Sequence, residues 1–537
     1  MTQENLQFVA HRPAANRLVE DYLAGKKEAC SFYGGHFAAK GTLARVAAKV
    51  EGGLDRQRAS DILSAQRTFK LVKDGRERLE RFVNNGGYII VTGQQPVLFG
   101  GPLFVIYKCI SAIRLAAGAE KLLGVPVLPV FWNASEDHDL AEAASINLPD
   151  LKNNLARLTF PAEGAKDRPL CQVRINDSIG TLFERLREIT PQSDFSTWVY
   201  DLLGSAYSRG SDLGHAFSDL LVGLFADYGL FVVDACHPLI RRESRELFEK
   251  EIFSAGESTR AVRKMNDRLT SRGYPLQIKL QQEDTNLFLI RSGVREKLQS
   301  GRTGTEFRLK RSGEEIEVSE LRELLDSSPE MFSPGVLMRP LVEAHLFGTL
   351  CYVAGPGEIS YYAQMSALYE LRSLQMPLIY PRFSGILLET KIARVLDKFG
   401  LSASELREGS DQLAARLLAG QGEQALLLEQ TGKTRSFLEN SFARIRELAL
   451  RLDPTLEGPV ENTRTSIEAT LDRLENKFAA AAKRRNETLV AQLGKAAVHL
   501  WPDGKPQERE IAGIYYLFRY GPQLLSFLIE EAVLELN

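Results

Sequence analysis

Residues 88–108 read YIIVTGQQPVLFGGPLFVIYK, and the change of texture inside that stretch decides the fold. Residues 88–92 are a short, β-branched run, which suits a strand buried on both faces. Gly-Gln-Gln-Pro ends the run, and residues 103–117 (LFVIYKCISAIRLAA) then read as a helix. Three later runs repeat the plan. Residues 125–132, interrupted by Pro126 and Pro129, lead into Asn-Ala-Ser-Glu-Asp-His-Asp; residues 230–234 read LFVVD; residues 350–354 (LCYVA) lead into Gly-Pro-Gly-Glu. Four such strands with helical stretches between them predict an α/β fold with a parallel sheet covered on both faces. In these sheets the ligand site lies beyond the carboxyl ends of the strands.

About 95 residues separate the second run from the third, and over 110 the third from the fourth. Both gaps exceed a simple crossover, so two inserts are expected, at about 150–228 and 238–335. The second contains a β patch, NLFLIR (286–291) followed by TEFRLKRSGEEIEV (305–318), with Ser312-Gly313 as its turn. Residues 1–85 read as mostly helical. The core with its inserts is expected to occupy 1–385.

From about residue 386 the pattern changes. Leu438, Phe442, Ile445, Ala449 and Leu452 step by four and three, and Ile467 to Leu500 carry a second stripe that slips near Ala482–Leu489, with Arg485 in the seam. Asp453-Pro454 and Gly458-Pro459 are expected to separate the two helices. The prediction is an antiparallel α-helical coiled-coil hairpin over 386–501, through which two chains form a homodimer. Residues 502–537 are aromatic and apolar again and are expected to return to the core as a helix.

Lys plus Arg number 67 and Asp plus Glu 69, a net charge of −2, which argues against a nucleic-acid or acidic-membrane binder. Cys30, Cys109, Cys171, Cys236 and Cys351 are scattered without a CxxC pair, which excludes a disulfide scaffold or thiolate zinc site and fits a reducing cytoplasm. Cys109 and Cys351 sit in apolar helix or strand contexts and read as core. The opening MTQENLQFVAHRP lacks a basic start followed by an apolar core, so no signal peptide is expected. No apolar run reaches the ~20 residues that cross a bilayer.

Three loops could carry chemistry. In the first, Gly93, Gln94, Gln95, Gly100 and Gly101 allow close backbone approach, and the helix start after Pro102 offers free amides to an anion that Lys108 would also reach. The plainer alternative is a strand–helix turn. In the second, Glu136-Asp137-His138-Asp139 follows a buried strand; Asp137, His138 and Asp139 suit proton transfer, and the two aspartates could hold a divalent ion such as Mg²⁺. The alternative is a solvated, helix-capping turn. In the third, Gly355, Gly357, Glu358 and Tyr361 curl toward the crevice, with Arg339, Glu343 and His345 upstream and Arg382 downstream. The arginines suit carboxylates. Asp234 could join the site, while His237 before Pro238 reads as a turn residue.

Together these loops resemble the bacillithiol biosynthesis cysteine-adding enzymes, the cysteine ligase family. The resemblance rests on VTGQQPVLFGGPLFVIYK (91–108), PVFWNASEDHDLAE (129–142), MRPLVEAHLFGTLCYVAGPGEISYY (338–362), MPLIYPR (376–382) and PQEREIAGIYYLFRYG (506–521). It implies a Rossmann-like core with connecting-peptide inserts, similar to class I nucleotidyltransferases and aminoacyl-tRNA synthetases, and a dimerising coiled coil. The implied reaction joins cysteine to the amino group of glucosaminyl-malate, giving bacillithiol. HxGH and KMSKS signatures are absent, so adenylate chemistry does not carry over directly. Amide formation from a free carboxylate still requires activation, and ATP is the expected activator. In that scheme the first loop cradles substrate or nucleotide, Asp137 and His138 take or position the amine proton, and Arg339 and Arg382 meet the malyl carboxylates. Two competing readings are a nucleotidyltransferase acting on another small amine or acid, and an inactive core carrying a coiled-coil scaffold.

Overall fold

The computed structural model describes residues 6–13, 15–254, 256–281, 283–301, 306–419 and 422–536. Its centre is a parallel sheet of five strands, β1 (Tyr88–Gln94), β2 (Val127–Asn133), β3 (Phe231–Asp234), β4 (Cys351–Ala354) and β5 (Leu378–Pro381), in the order β5-β4-β1-β2-β3. Chain order reverses between β1 and β4, the Rossmann-like arrangement in which the crevice opens at that junction. Successive side chains alternate between faces. Tyr88, Ile90, Cys351, Val353 and Leu378 enter one apolar cluster, and Ile89, Val91, Tyr352, Ala354 and Ile379 the other. That double burial is why the runs read as continuously apolar.

The four expected strands are present, and β5 is a fifth that apolar patterning missed because prolines flank it. As an edge strand it tolerates them. Pro129 sits inside β2, but β3 pairs with β2 only from Val130 onward, so β2 has just one neighbour at that point. Helix α1 (Phe104–Leu123) runs six residues past its expected end, to Gly124 in the left-handed region.

Residues 6–85 contain the expected helices, with one exception. Leu6–Ala10 is a strand, paired antiparallel with Gly385–Glu389. Between β2 and β3 come a one-turn helix (Leu140–Ala143), a small hairpin (Ser145–Pro149 with Leu155–Thr159) and three longer helices, the last being α2 (Leu213–Phe225). Between β3 and β4 lies an antiparallel sheet built on Asp284–Arg291, Val294–Ser300, Glu306–Leu309, Glu315–Glu317 and Phe332–Pro334. Gly313 takes φ 73° at the expected turn, and a tighter turn at Ser292-Gly293, both at positive φ, joins the first two strands. Thr305 of the expected patch lies outside the described residues.

Two long antiparallel helices form the hairpin, α5 (Gly422–Leu452) and α6 (Glu457–Arg485). Arg435 on α5 pairs with Asp472 and Glu475 on α6, at 2.7 and 3.2 Å. The break is Asp453-Pro454, where Asp453 accepts the Thr455 N–H at 2.8 Å. Gly458-Pro459 does not separate the helices as expected. It lies in the first turn of α6, where a proline loses no helical hydrogen bond. The seam slip at Arg485 is a true interruption: helix ends at Asn486 (φ −116°, ψ 37°) and restarts as Glu487–Leu500. That last segment belongs to the hairpin's base, where Leu493 and Leu500 pack with Leu396, Leu413 and Trp501.

The chain then turns back to the sheet. Tyr516, Leu517, Leu524 and Leu528 share the cluster of Ile89 and Val91. Just before them, Glu508 meets Arg382 at the end of β5 in a two-pronged ion pair in which both side chains are about 3% exposed. Ser384 Oγ adds a third donor to Glu508 at 2.6 Å. Removing one member of such a pair leaves a buried charge uncompensated, a loss of ~3–5 kcal/mol. We expect Glu508→Ala to lower stability by about that amount in urea denaturation; a change below ~1 kcal/mol would show that Arg382 finds water instead.

Candidate active site

The first and third loops meet through one side chain. Lys108 projects from α1 into the β1–β4 junction, fully buried, and its Nζ donates to Gly93 O (2.5 Å) and Gln94 Oε1 (3.2 Å) and pairs with Glu358 Oε2 (2.8 Å). Glu358 stands in the short helix α4 (Pro356–Tyr362) and also accepts from Gly355 N (2.7 Å) and Tyr352 Oη (2.8 Å). Burial pushes the Glu358 carboxyl up, but Lys108 and the Gly355 N–H outweigh it and hold it below its ordinary value. An ammonium has three N–H groups. All three are used here, so Lys108 braces the loops and has none left for the anion expected of it.

Gly100 and Gly101 are likewise turned toward protein. Both have positive φ, and a Cβ on Gly101 would fall 2.8 Å from Val97 Cβ. Gly101 O accepts the Gly513 N–H at 3.0 Å, and the Leu103 N–H at the start of α1 donates to Ile511 O at 2.9 Å. The expected anion cradle is therefore filled by the chain's own C-terminal segment. Gly93 has a different reason to be glycine: a Cβ would approach Trp132 O to 2.9 Å on the neighbouring strand. Gln95 lies beside Glu142, and Gly357 beside Gln277. Arg382, held by Glu508, has its charge already neutralised and is not available to a malyl carboxylate.

The second loop opens onto a cavity of about 290 Å³ lined by Glu136, Asp137, His138, Phe288, Arg295 and Arg339, among others. Its backbone is tied down from the first insert and the sheet: Ala134 N donates to Gln94 O (3.0 Å), Leu170 N to Asp137 O (2.8 Å) and Cys171 N to Ser135 O (3.0 Å). The Ser135 hydroxyl bonds Asp234, whose carboxylate also takes the Cys236 N–H at 2.9 Å. Asp234 thus supports the loop from behind, and His237 caps its own helix through the Leu239 N–H (3.2 Å). Asp139 turns out to be a cap as well, accepting from Glu142 N at 3.2 Å. Asp137 Oδ1 takes the His138 and Asp139 amides at 2.6 and 3.3 Å. Among the described residues no group of three or more His, Cys, Asp or Glu side chains is placed to hold a metal ion.

His138 Nδ1 lies 2.9 Å from Arg295 Nη1. A guanidinium only donates, so Nδ1 accepts and the neutral ring carries its proton on Nε2. Burial, then Arg295, lowers the affinity of the ring for a second proton. Arg295 is itself fixed by Ser333 Oγ and Pro334 O, each at 2.8 Å, and stacks 3.9 Å from the Phe288 ring. Arg339, on α3 (Arg339–Phe347), donates to Tyr361 Oη at 2.9 Å and lies 3.6 Å from Glu343, one turn along.

Two carboxylates that sequence reasoning passed over stand out. Glu136 is buried with Oε2 unpartnered, and Glu343 is buried with neither oxygen hydrogen-bonded. Burial raises both; Arg339 opposes the shift of Glu343, yet its carboxyl still rises to about 8. Each lies inside a quoted loop, and its unpaired burial arises only in the folded chain. Arg295 had no sequence signal: it reaches His138 from an insert strand 157 positions away.

The comparisons with known proteins agree with this architecture. Residues 1–383 match the family model described as bacillithiol biosynthesis BshC, N-terminal Rossmann-like domain, and residues 385–533 match its C-terminal coiled-coil domain. The chain belongs to the BshC family. A Salinibacter ruber relative named "Putative cysteine ligase BshC" is 34% identical over 518 residues, covering 95% of this chain and 93% of its own. The Geobacillus kaustophilus relative of the same name is 30% identical over 520 residues, 96% of each chain. One from Koribacter versatilis is 33% identical, covering 85% and 83%. Both halves of the expected fold, Rossmann-like core and coiled coil, are thereby established for this BshC-family chain.

Glu343 gives a test of the buried cluster. A carboxyl raised from 4.5 to about 8 on folding binds a proton that the unfolded chain has released, so its contribution to stability is complete below pH ~4.5 and is lost as pH rises to about 8. Glu343→Gln keeps the shape without the titration. Relative to the parent it should gain stability toward pH 9, with a shallower fall between pH 5 and 8, where each unit of one-proton difference is worth about 1.4 kcal/mol. Parallel stability–pH curves for the two proteins would rule the shift out.

Proposed function

We propose that this protein is a cysteine ligase that adds cysteine to the amino group of glucosaminyl-malate, the last step of bacillithiol formation, with ATP activating the cysteine carboxylate. The observation that carries the reading is a cavity at the strand ends into which buried, incompletely satisfied charges face. Arg339 Nε and Glu136 Oε2 have no hydrogen-bond partner, and both residues line it. Stranded polar groups of this kind cost ~1–3 kcal/mol each unless a ligand completes them. Arg339 suits a substrate carboxylate, and the neutral His138 offers Nε2–H to an oxygen or to the leaving group. The relatives' name, "Putative cysteine ligase BshC", supports cysteine as one substrate.

The test is direct. Purified protein is incubated with cysteine, glucosaminyl-malate and each nucleotide in turn, and mass spectrometry follows bacillithiol and the nucleoside mono- or diphosphate. Bacillithiol forming in step with one nucleotide product is expected. Pyrophosphate released without consumption of cysteine would point instead to a nucleotidyltransferase with another substrate.

The hairpin supports a dimer, and the five free cysteines suit the cytoplasm as its place. Phe437 is 70% exposed and Leu452 82%, and Leu448 is also uncovered. Apolar side chains so placed on a two-helix hairpin suit a second copy of the same surface. Because 487–500 belongs to the base, the test deletes residues 430–481 behind a short Gly-Ser linker: monomers are expected in sedimentation, and dimers that persist would place the interface elsewhere.

A further inference from the structure

We infer that Glu136, and not His138 or Asp137, is the base that takes the proton from the attacking amine; this rests on the ligase reading above. The other groups of the loop are each committed. His138 accepts from Arg295 at Nδ1, which leaves Nε2 protonated and the ring without a free lone pair for a second proton. Asp137 Oδ1 holds two backbone amides of its own turn, and the side chain is about a third exposed. Asp139 caps the next helix. Glu343 is buried deeper and does not line the cavity. Glu136 combines the two required properties, a place in the cavity wall and an oxygen with no partner.

Cysteine arrives as an acyl mixed anhydride with phosphate or a nucleotide. The glucosamine nitrogen attacks the acyl carbon, the C–N bond forms, and the C–O bond to the leaving phosphate breaks with its electron pair. The surplus N–H proton passes to Glu136 Oε2. A carboxylate in this position needs an elevated proton affinity to work near neutrality. Burial supplies it, restrained by Arg241, Arg295 and Arg339, with Glu343 facing from α3. Those cations limit the rise that burial causes.

Glu136→Gln and Glu136→Asp are compared with the parent for turnover of cysteine and glucosaminyl-malate from pH 5 to 9. Removing a general base typically slows the reaction ~10²–10⁴-fold. Glu136→Gln should lower kcat about 100-fold or more, leave the KM for glucosaminyl-malate within about threefold, and abolish the acid limb of the rate profile. Glu136→Asp should retain that limb with intermediate kcat, and it serves as the deciding variant if circular dichroism shows that the glutamine protein is unfolded. A folded Glu136→Gln protein with parental kcat and an intact acid limb overturns the role, as does a Glu136→Asp protein indistinguishable from the parent in both. If the parent itself makes no product with any nucleotide, the ligase reading falls and the role with it, a result distinct from an active parent and an unchanged variant.

Discussion

A single buried ammonium organises the crevice. Strands β1 and β4 lie side by side with chain order reversing between them, so no short connection holds their carboxyl ends together. Lys108 does it by bonding the Gly93 carbonyl on one side and Glu358 on the other. Taking two charges out of water is costly, and an apolar pair of the same volume would often be as stable. The apolar pair would not fix a distance or direction between the two loops. Three N–H groups with three acceptors do. Gly355 and Tyr352 are then held by Glu358, and Tyr361 by Arg339, which itself lines the cavity.

Around that brace the polar groups divide into two sorts. Those with complete partners, Lys108, Glu358, Arg382, Glu508 and Asp234, build the site. Those left short of a partner are Glu136 and Arg339 Nε, on residues of the cavity wall, and Glu343 behind it, one helical turn from Arg339. Arginine and glutamate side chains are rarely buried without pairing. Their gathering at the carboxyl end of a parallel sheet is the physical basis for placing chemistry there.

Much of the fold was legible beforehand. The apolar runs of β1 to β4 are buried on both faces, and two-sided burial is what makes a strand conspicuous in sequence. β5 and Leu6–Ala10 were not conspicuous: one is an edge strand bordered by prolines, the other pairs with a strand some 380 positions away. The site was legible by address and not by role. The quoted loops contain Glu136, His138 and Arg339 but not Arg295, and Lys108 is consumed by Gly93, Gln94 and Glu358 while Gly101 and Arg382 are consumed by the C-terminal segment. No local pattern announces such contacts. Nor does any pattern say which of four consecutive ionisable residues, Glu136 to Asp139, points inward; that follows from Asp139 capping a helix and Arg295 arriving from an insert.

Glu508 is made by the ribosome some 125 residues after Arg382, its partner. The partner of the Arg382 guanidinium and the carbonyl that meets the Leu103 N–H at the start of α1 both come from this late stretch. The hairpin must be threaded out and back before that stretch can land. The Rossmann-like half is thus closed by residues that follow the hairpin in sequence: without them Arg382 would lack its carboxylate and the first turn of α1 its carbonyl partner.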